Sequence, residues 1–329
     1  MAYRFRLDEP IQKEFRRIGA EQIERARRQL AANADPATEV HNSRKCIKRV
    51  RALLRLGREG LGEAVFRAEN ARFRAIAAIL APARDNHVLV EAVTKLEADV
   101  DCDATRSGLG SLKALLVKEP TTEQSGHARA GMIEEALTAL DLAQRRFRRL
   151  NLAPDEVSIL TAGLTRSYRR GIKSLDAAYA DQGDEAFHQW RKSVQAHWRH
   201  MQLLQRTWPA LIEARVAAAR ELSQILGEDH DLALVRQRLE SLAPGTLDLE
   251  ATDRIGSMIA KRQQTLRAAA EPRGRMIYAE HPKAHGQWAA AVWEAAVARD
   301  RTETSQVEPL TSKPDKIRAK TSSSAAAES

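Results

Sequence analysis

The stretch "VHNSRKCIKRVRALLRL", residues 40–56, carries six Lys or Arg side chains among regularly spaced apolar residues. At about 100° per residue, the apolar side chains fall on one side of a helix and most of the cations on the other. The apolar side predicts a helix that packs against a core, and the basic side forms a stripe within an arc of roughly 80°. The stripe consists of His41, Arg44, Lys48, Arg51 and Arg55, with Lys45 at its margin.

The stretch 40–56 contains no Asp or Glu, although cations spaced three and four residues apart repel one another by a few tenths of a kcal/mol per pair. A helix face that is merely solvated usually mixes both charge signs. The pattern therefore favours a face that binds an anion, and a solvated face remains the alternative interpretation.

A second copy of the pattern, "FHQWRKSVQAHWRHM", occupies residues 187–201, and its His188 follows His41 at an offset of 188 − 41 = 147. A later motif aligns Asp85 with Asp231 at an offset of 231 − 85 = 146. Two offsets that agree this closely predict a duplicated helical unit. The second copy and its surroundings add the cations His188, Arg191, Lys192, Arg199, Arg169, Arg170 and Lys173, and the later motif pairs Arg74 with Arg220.

Apolar residues recur at helical spacing nearly everywhere, which predicts an all-α protein, and the duplication predicts two halves that pack as related helical bundles. Residues 101–127 are rich in Gly, Ser, Thr and Asp and predict at most one short helix. We expect one domain over 1–301, with repeats at 1–150 and 151–301, and a disordered tail at 302–329. Helices are predicted near 10–33, 37–58, 62–82, 84–99, 127–150, 154–181, 184–207, 209–227, 229–243 and 248–271.

The chain has 53 Lys plus Arg against 44 Asp plus Glu, a formal charge of 53 − 44 = +9, which favours a polyanionic partner. Two cysteines exclude a disulfide-rich scaffold or a four-cysteine zinc site and fit a reducing compartment. The sequence shows neither a signal peptide nor an apolar stretch of membrane-spanning length. We therefore expect a cytoplasmic protein.

The segment "GEDHDL", residues 227–232, and the segment "ARDNH", residues 83–87, raise the alternative of a metal site. Adjacent residues on one helix point in different directions, so we expect instead that Gly227 ends a helix and that Asp229 or Asp231 caps the next, or that Asp85 and Asp231 pair with arginines. The sequence contains no Gly-rich phosphate loop of the Walker kind and no dinucleotide fingerprint. The usual sequence features of kinases and ATPases are therefore missing, and we expect neither a metal nor a cofactor.

The paired pattern of His-x-x-Arg-x-x-x-Lys-Arg-x-Arg and a later Leu-x-x-x-Arg-Asp turn resembles the CHAD domain, the conserved histidine α-helical domain. The resemblance extends from "YRFRLDEP" to "RMIYAEHPKAHGQW". It departs from the family at Gln195 and Trp198, which stand where the first copy has Lys48 and Arg51, and at Asn42, where the family often has an acid.

The resemblance implies two antiparallel helical bundles with pseudo-twofold symmetry. It also implies a protein that is not an enzyme, with a basic surface that binds inorganic polyphosphate and that could target the protein to polyphosphate granules. By direct motif match it implicates His41, Arg44, Lys48, Arg51, His188 and Arg191. Binding of nucleic acid through non-specific phosphate contacts and metal-dependent phosphate hydrolysis remain as alternatives.

Overall fold

Helix α2, Pro36–Leu56, contains the basic stretch and forms as its periodicity predicts. Its apolar residues Val40, Ile47, Val50, Leu53 and Leu54 are all buried. On α9, Asp184–Leu203, the apolar residues also face the core, and His188, Arg191 and Lys192 are at least partly exposed, whereas Arg199 is buried. The predicted core faces of both helices are therefore confirmed.

The structure is a computed structural model that describes residues 3–32, 36–81, 85–100, 102–118 and 126–307. The regular secondary structure in these ranges is entirely helical, so the all-α prediction is confirmed. Besides α2 and α9, the helices are α1 (Ile11–Leu30), α3 (Arg58–Leu61), α4 (Glu63–Ile79), α5 (Asp85–Ala98), α6 (Asp103–Lys118), α7 (Gly126–Phe147), α8 (Val157–Asp181), α10 (Pro209–Glu240), α11 (Leu249–Ile277) and α12 (Pro282–Val307).

The packing pairs follow the order that a duplication predicts, because α1 packs on α2 as α8 packs on α9, and α5 on α6 as α10 on α11. The repeats are nevertheless intertwined. The largest apolar core combines residues of α1, α2, α4 and α7 with residues of α8, α9 and α12, and a second core joins α5 and α6 to α10 and α11. A superposition of the two halves stays a prediction.

The predicted helix end at Gly227 is wrong, because α10 runs unbroken from Pro209 to Glu240. Glycine within a helix costs about 1 kcal/mol, and packing of α10 against both α9 and α11 outweighs that cost. Asp229 therefore caps nothing. It is buried, and its Oδ1 accepts a hydrogen bond from Arg267 Nε on α11 at 2.7 Å.

Two further boundaries differ from the sequence prediction. The segment 101–127 contains the full helix α6, whose Leu109, Leu112 and Leu116 are buried. Gly108 allows α6 to pack closely on α11, since a Cβ added at Gly108 would lie 3.0 Å from the Cβ of Ala251. The unpredicted helix α12 continues past 302, where the tail was expected to begin, and residues 308–329 lie outside the described part of the chain.

Candidate functional site

The basic faces of α2 and α9 come together along one surface depression, which we call the basic trough. It consists of two cavities, of about 300 and 560 Å³, that share Arg51, Arg55 and Lys192 in their walls. The first cavity also contains Arg44, Lys48, His188, Arg191, Gln195, Arg199, His230 and Asp231, and the second contains Arg58, Asn70, Arg74, Arg166 and Arg170. Cations from both sequence repeats thus line one continuous feature.

The two helices that carry these cations are fixed by contacts on their buried sides. His200 of α9 is fully buried, and its Nε2 lies 2.9 Å from the carbonyl oxygen of Ala52 on α2. Helix α8 approaches α2 closely at Gly163, where a Cβ would lie 2.0 Å from the carbonyl oxygen of Leu56. These contacts hold the apolar faces together and leave the basic faces toward the trough.

Several trough arginines are oriented by neutral acceptors. Arg44 Nη1 donates to the carbonyl oxygen of Ala77 at 3.0 Å, and Arg51 Nε donates to Oδ1 of Asn70 at 3.1 Å. Arg199 Nη1 donates to the carbonyl oxygen of Gln195 at 2.7 Å. Such partners fix the direction of a guanidinium group but do not cancel its charge. Among the described lining residues of both cavities, Asp231 is the only carboxylate.

The crowding of like charges perturbs the arginines at the centre of the trough. Burial, reinforced by the cations Arg51, Arg170 and Arg199, lowers the pKa of Arg55 to about 10. Burial also lowers the pKa of Arg199 to about 10, with Arg49 and Arg191 adding to the effect. Both groups remain charged at neutral pH, so the centre of the trough carries two arginine cations. Perturbed groups of this kind in a cleft are typical of functional sites.

Two imidazole rings stack in the wall of the first cavity. The ring centroids of His188 and His230 lie 3.9 Å apart, with 22° between the ring planes. Burial and the neighbouring cations lower the pKa of His188 to about 4 and that of His230 to about 3, so both rings are neutral at pH 7. Sequence reasoning considered His230 only for a metal site and missed its place beside His188.

Five of the predicted site residues do not line the trough. Lys45, for example, follows Arg44 by one residue on α2 and is therefore rotated about 100° from it. Arg169 lines a separate shallow depression with Arg166 and Lys283. The five residues are His41, Lys45, Arg169, Lys173 and Arg220.

The second cavity contains residues that the sequence-based site list missed. Arg58 extends over the ring of Phe66, 4.7 Å from its centroid, and its Nη2 lies 2.6 Å from Oε2 of Glu63. Arg166 forms an ion pair with Glu59. Because these two arginines have acidic partners, the strongest net charge lies where the two cavities join.

The segment that suggested a metal site does not converge on one point. Asp229 binds Arg267 of α11, whereas His230, the next residue, stacks on His188 in the wall of the trough. Among the described side chains, no group of three or more His, Cys, Asp or Glu residues is arranged to hold a metal ion.

Comparison with known proteins identifies the family. The family model for the CHAD domain matches residues 17–240, which is more than half of the chain and ends at the last residue of α10. No curated protein matches the sequence. In the described ranges, none of the helices combines the length and the apolar character needed to cross a membrane. The family match agrees with the paired motifs on α2 and α9, and the chain belongs to the CHAD domain family.

Proposed function

We propose that the protein binds inorganic polyphosphate in the basic trough and catalyses no reaction on it. The observation that carries this proposal is the meeting of α2 and α9 cations in one depression, where Arg51 and Arg199 donate to neutral acceptors. Polyphosphate carries about one negative charge per unit, so a chain along the trough meets several cations at once, much as a nucleic acid backbone does. Arginine adds paired N–H donors that suit phosphate oxygens.

Nucleic acid is the weaker candidate. Proteins that bind single strands usually present aromatic rings on which bases stack. Here the ring of Phe66 is covered by Arg58, and Trp198 lies beneath Arg199, 5.0 Å from ring centroid to guanidinium carbon. These rings are already occupied by arginine. Polyphosphate has no bases to stack, so it can contact the arginines of this surface without needing a free aromatic ring.

Catalysis of phosphate hydrolysis needs a positioned nucleophile, base or metal. Asp229, the buried carboxylate of "GEDHDL", forms an ion pair with Arg267 of α11. We therefore propose a binding module, present in the cytoplasm and associated with polyphosphate granules. A fluorescently tagged chain should then collect on granules in cells that contain them.

The decisive experiment is a binding competition. We expect long-chain polyphosphate to displace a labelled polyphosphate probe at far lower phosphate concentration than duplex DNA does. Replacing Arg44, Lys48 and Arg51 by Gln should weaken binding by at least tenfold, since each charged contact is worth about 1.5 kcal/mol or more. Affinity should fall with salt, and the variant should show a shallower log–log slope.

A matched control removes the same charge elsewhere. Arg145, Arg146 and Arg149 are exposed on or just after the end of α7, outside the trough, and their replacement by Gln also changes the net charge by −3. We expect this control to bind polyphosphate nearly as well as the wild type. Equal loss in both variants, or equal displacement by DNA, would reduce the proposal to general polyanion attraction.

A further inference from the structure

The stacked pair of His188 and His230 is half-buried, whereas His197, His200 and His285 are buried. His200 and His285 each have a protein partner, the carbonyl oxygen of Ala52 and Oε2 of Glu280 respectively. His188 Nδ1 is buried and has no hydrogen-bond partner among the described residues. The pair lines the trough, whereas neither His200 nor His285 does. Its protonation is therefore open to control by a ligand.

The sequence repeat shows that this pair is a departure within the chain. At the offset of 146 that aligns Asp85 with Asp231, His230 corresponds to Arg84 in the first repeat. Arginine is charged at all physiological pH values, whereas histidine changes charge close to neutrality. The second repeat thus has a titratable group at a position where the first has a permanent cation.

The charges around the pair favour the neutral form as long as no anion is bound. From α2, Lys48 faces the rings, and α9 contributes Arg191 and Lys192, which are partly offset by Glu185. Further charged groups nearby are Arg44 of α2, Asp231 of α10 and Arg170 of α8. An adjacent cavity that also contains Asp231 adds Glu91, Lys95, Asp99, Glu228 and Arg262, of which Glu228 and Arg262 form an ion pair. Cations predominate close to the rings, so an added proton meets net repulsion.

We propose that the His188–His230 pair takes up one proton as polyphosphate enters the basic trough, and so becomes a cationic contact that exists only in the complex. The proton comes from solvent and converts one imidazole into an imidazolium. Phosphate oxygens bring negative charge close to the two rings, which stabilises that imidazolium. A second proton would place two cations 3.9 Å apart, so the pair takes up only one.

The consequence is a ligand contact that strengthens as pH falls. The free pair has pKa values of about 4 and 3, and an anion that restores one ring to its ordinary value of about 6.5 links binding to a proton. Affinity should then rise about tenfold between pH 7.5 and 5.5 at constant ionic strength. This inference rests on the proposed function, because it assigns a role to two residues of the same trough.

The test counts protons directly. Isothermal titration calorimetry with long-chain polyphosphate, in two buffers of different ionisation enthalpy at pH 6, gives the number of protons taken up per site. Long chains are used because their titratable terminal groups are few. We expect the wild type to take up roughly half a proton or more per site, since the bound pair titrates above that pH.

His230→Arg provides the matched variant, because it restores the residue of the first repeat and places a permanent cation beside His188. It should bind polyphosphate with little proton uptake and with an affinity that changes less than threefold between pH 7.5 and 5.5. His281→Gln, a change at an exposed histidine outside the trough, should behave as the wild type.

The outcomes separate the two proposals. Binding by the wild type without proton uptake, or equal uptake by His230→Arg, overturns the proton-linked contact and leaves polyphosphate binding in place. Absence of polyphosphate binding by the wild type at every pH overturns the proposed function itself. Uptake by the wild type that His230→Arg abolishes supports both.

Discussion

Replacing Arg55 by Met should make the protein more stable and a poorer ligand binder at the same time. Arg55 lies where the two cavities of the trough join, and burial together with Arg51, Arg170 and Arg199 lowers its pKa to about 10. A cation whose folded pKa is below its unfolded value destabilises the fold at every pH at which it is charged. At pH 7 the full cost is therefore present, and a neutral side chain removes it.

The size of the effect follows from the shift. A fall from 12.5 to about 10 corresponds to roughly 3 kcal/mol at about 1.4 kcal/mol per pKa unit. Because Arg55 is only partly buried and solvent screens its charge, we expect about 1–2 kcal/mol of added stability. Met fills much the same volume as the arginine stem, and apolar replacement of a buried charge is often stabilising by such amounts.

Urea denaturation measures the change as a higher midpoint at an unchanged m value. A polyphosphate titration of the same protein should show about tenfold weaker binding or worse, because one charged contact is lost. Arg220→Met, at an exposed position on α10 outside the trough, is the control and should change stability by less than about 0.5 kcal/mol. If Arg55→Met proves less stable than the wild type and binds as tightly, the trough is not a cluster of repelling cations held for a ligand.

Two further predictions concern stability. Burial lowers the pKa of His200 to about 4 and holds the pKa of His197 well below its ordinary value. Below pH 6.5 the unfolded chain therefore binds more protons than the folded protein, and the free energy of unfolding should fall by about 1 kcal/mol per histidine between pH 6 and 5. Equal urea midpoints at these two pH values would contradict this prediction. Arg267→Met should lower the free energy of unfolding by about 3 kcal/mol or more, because it leaves Asp229 buried without its guanidinium partner. Adding Asp229→Leu should recover part of that stability in a double-mutant cycle. A loss below about 1 kcal/mol, or no recovery in the double mutant, would show that the two residues do not form a buried ion pair.

The helical periodicity was sufficient to predict the fold class and the buried faces of α2 and α9, because a 3.6-residue repeat determines which side of a helix meets the core. It could not predict that α10 continues through Gly227. A glycine and two aspartates resemble a helix end, and only the packing of α11, which provides Arg267 to Asp229, makes the continuous helix the stable form. Helix α6 was underestimated for a related reason, since Gly108 serves close contact with α11 rather than a turn.

The sequence predicted the trough cations of α2 and α9 together with Arg74 and Arg170, and it missed Arg58, Asn70, Arg166 and His230. Arg44, Lys48, Arg51 and Arg55 lie at spacings that a helical projection groups together, and all four line the trough. Asn70 entered the site from α4, where no charge pattern marked it, and it matters only because it orients Arg51.

The two repeats contribute to the trough unequally, and their differences correspond to physical needs. Gln195 stands where the first repeat has Lys48, and its backbone carbonyl orients Arg199 while its neutral side chain adds no charge to a crowded cavity. Trp198 stands where the first repeat has Arg51, and its ring supports the guanidinium of Arg199 from below. A strict copy of the first stripe would place two more cations against Arg55 and Arg199, whose pKa values are already lowered to about 10. The neutral residues at positions 195 and 198 therefore limit the repulsion between cations in the trough. This gives a physical reason for the departures of the second repeat from the first at these two positions, where the basic faces meet.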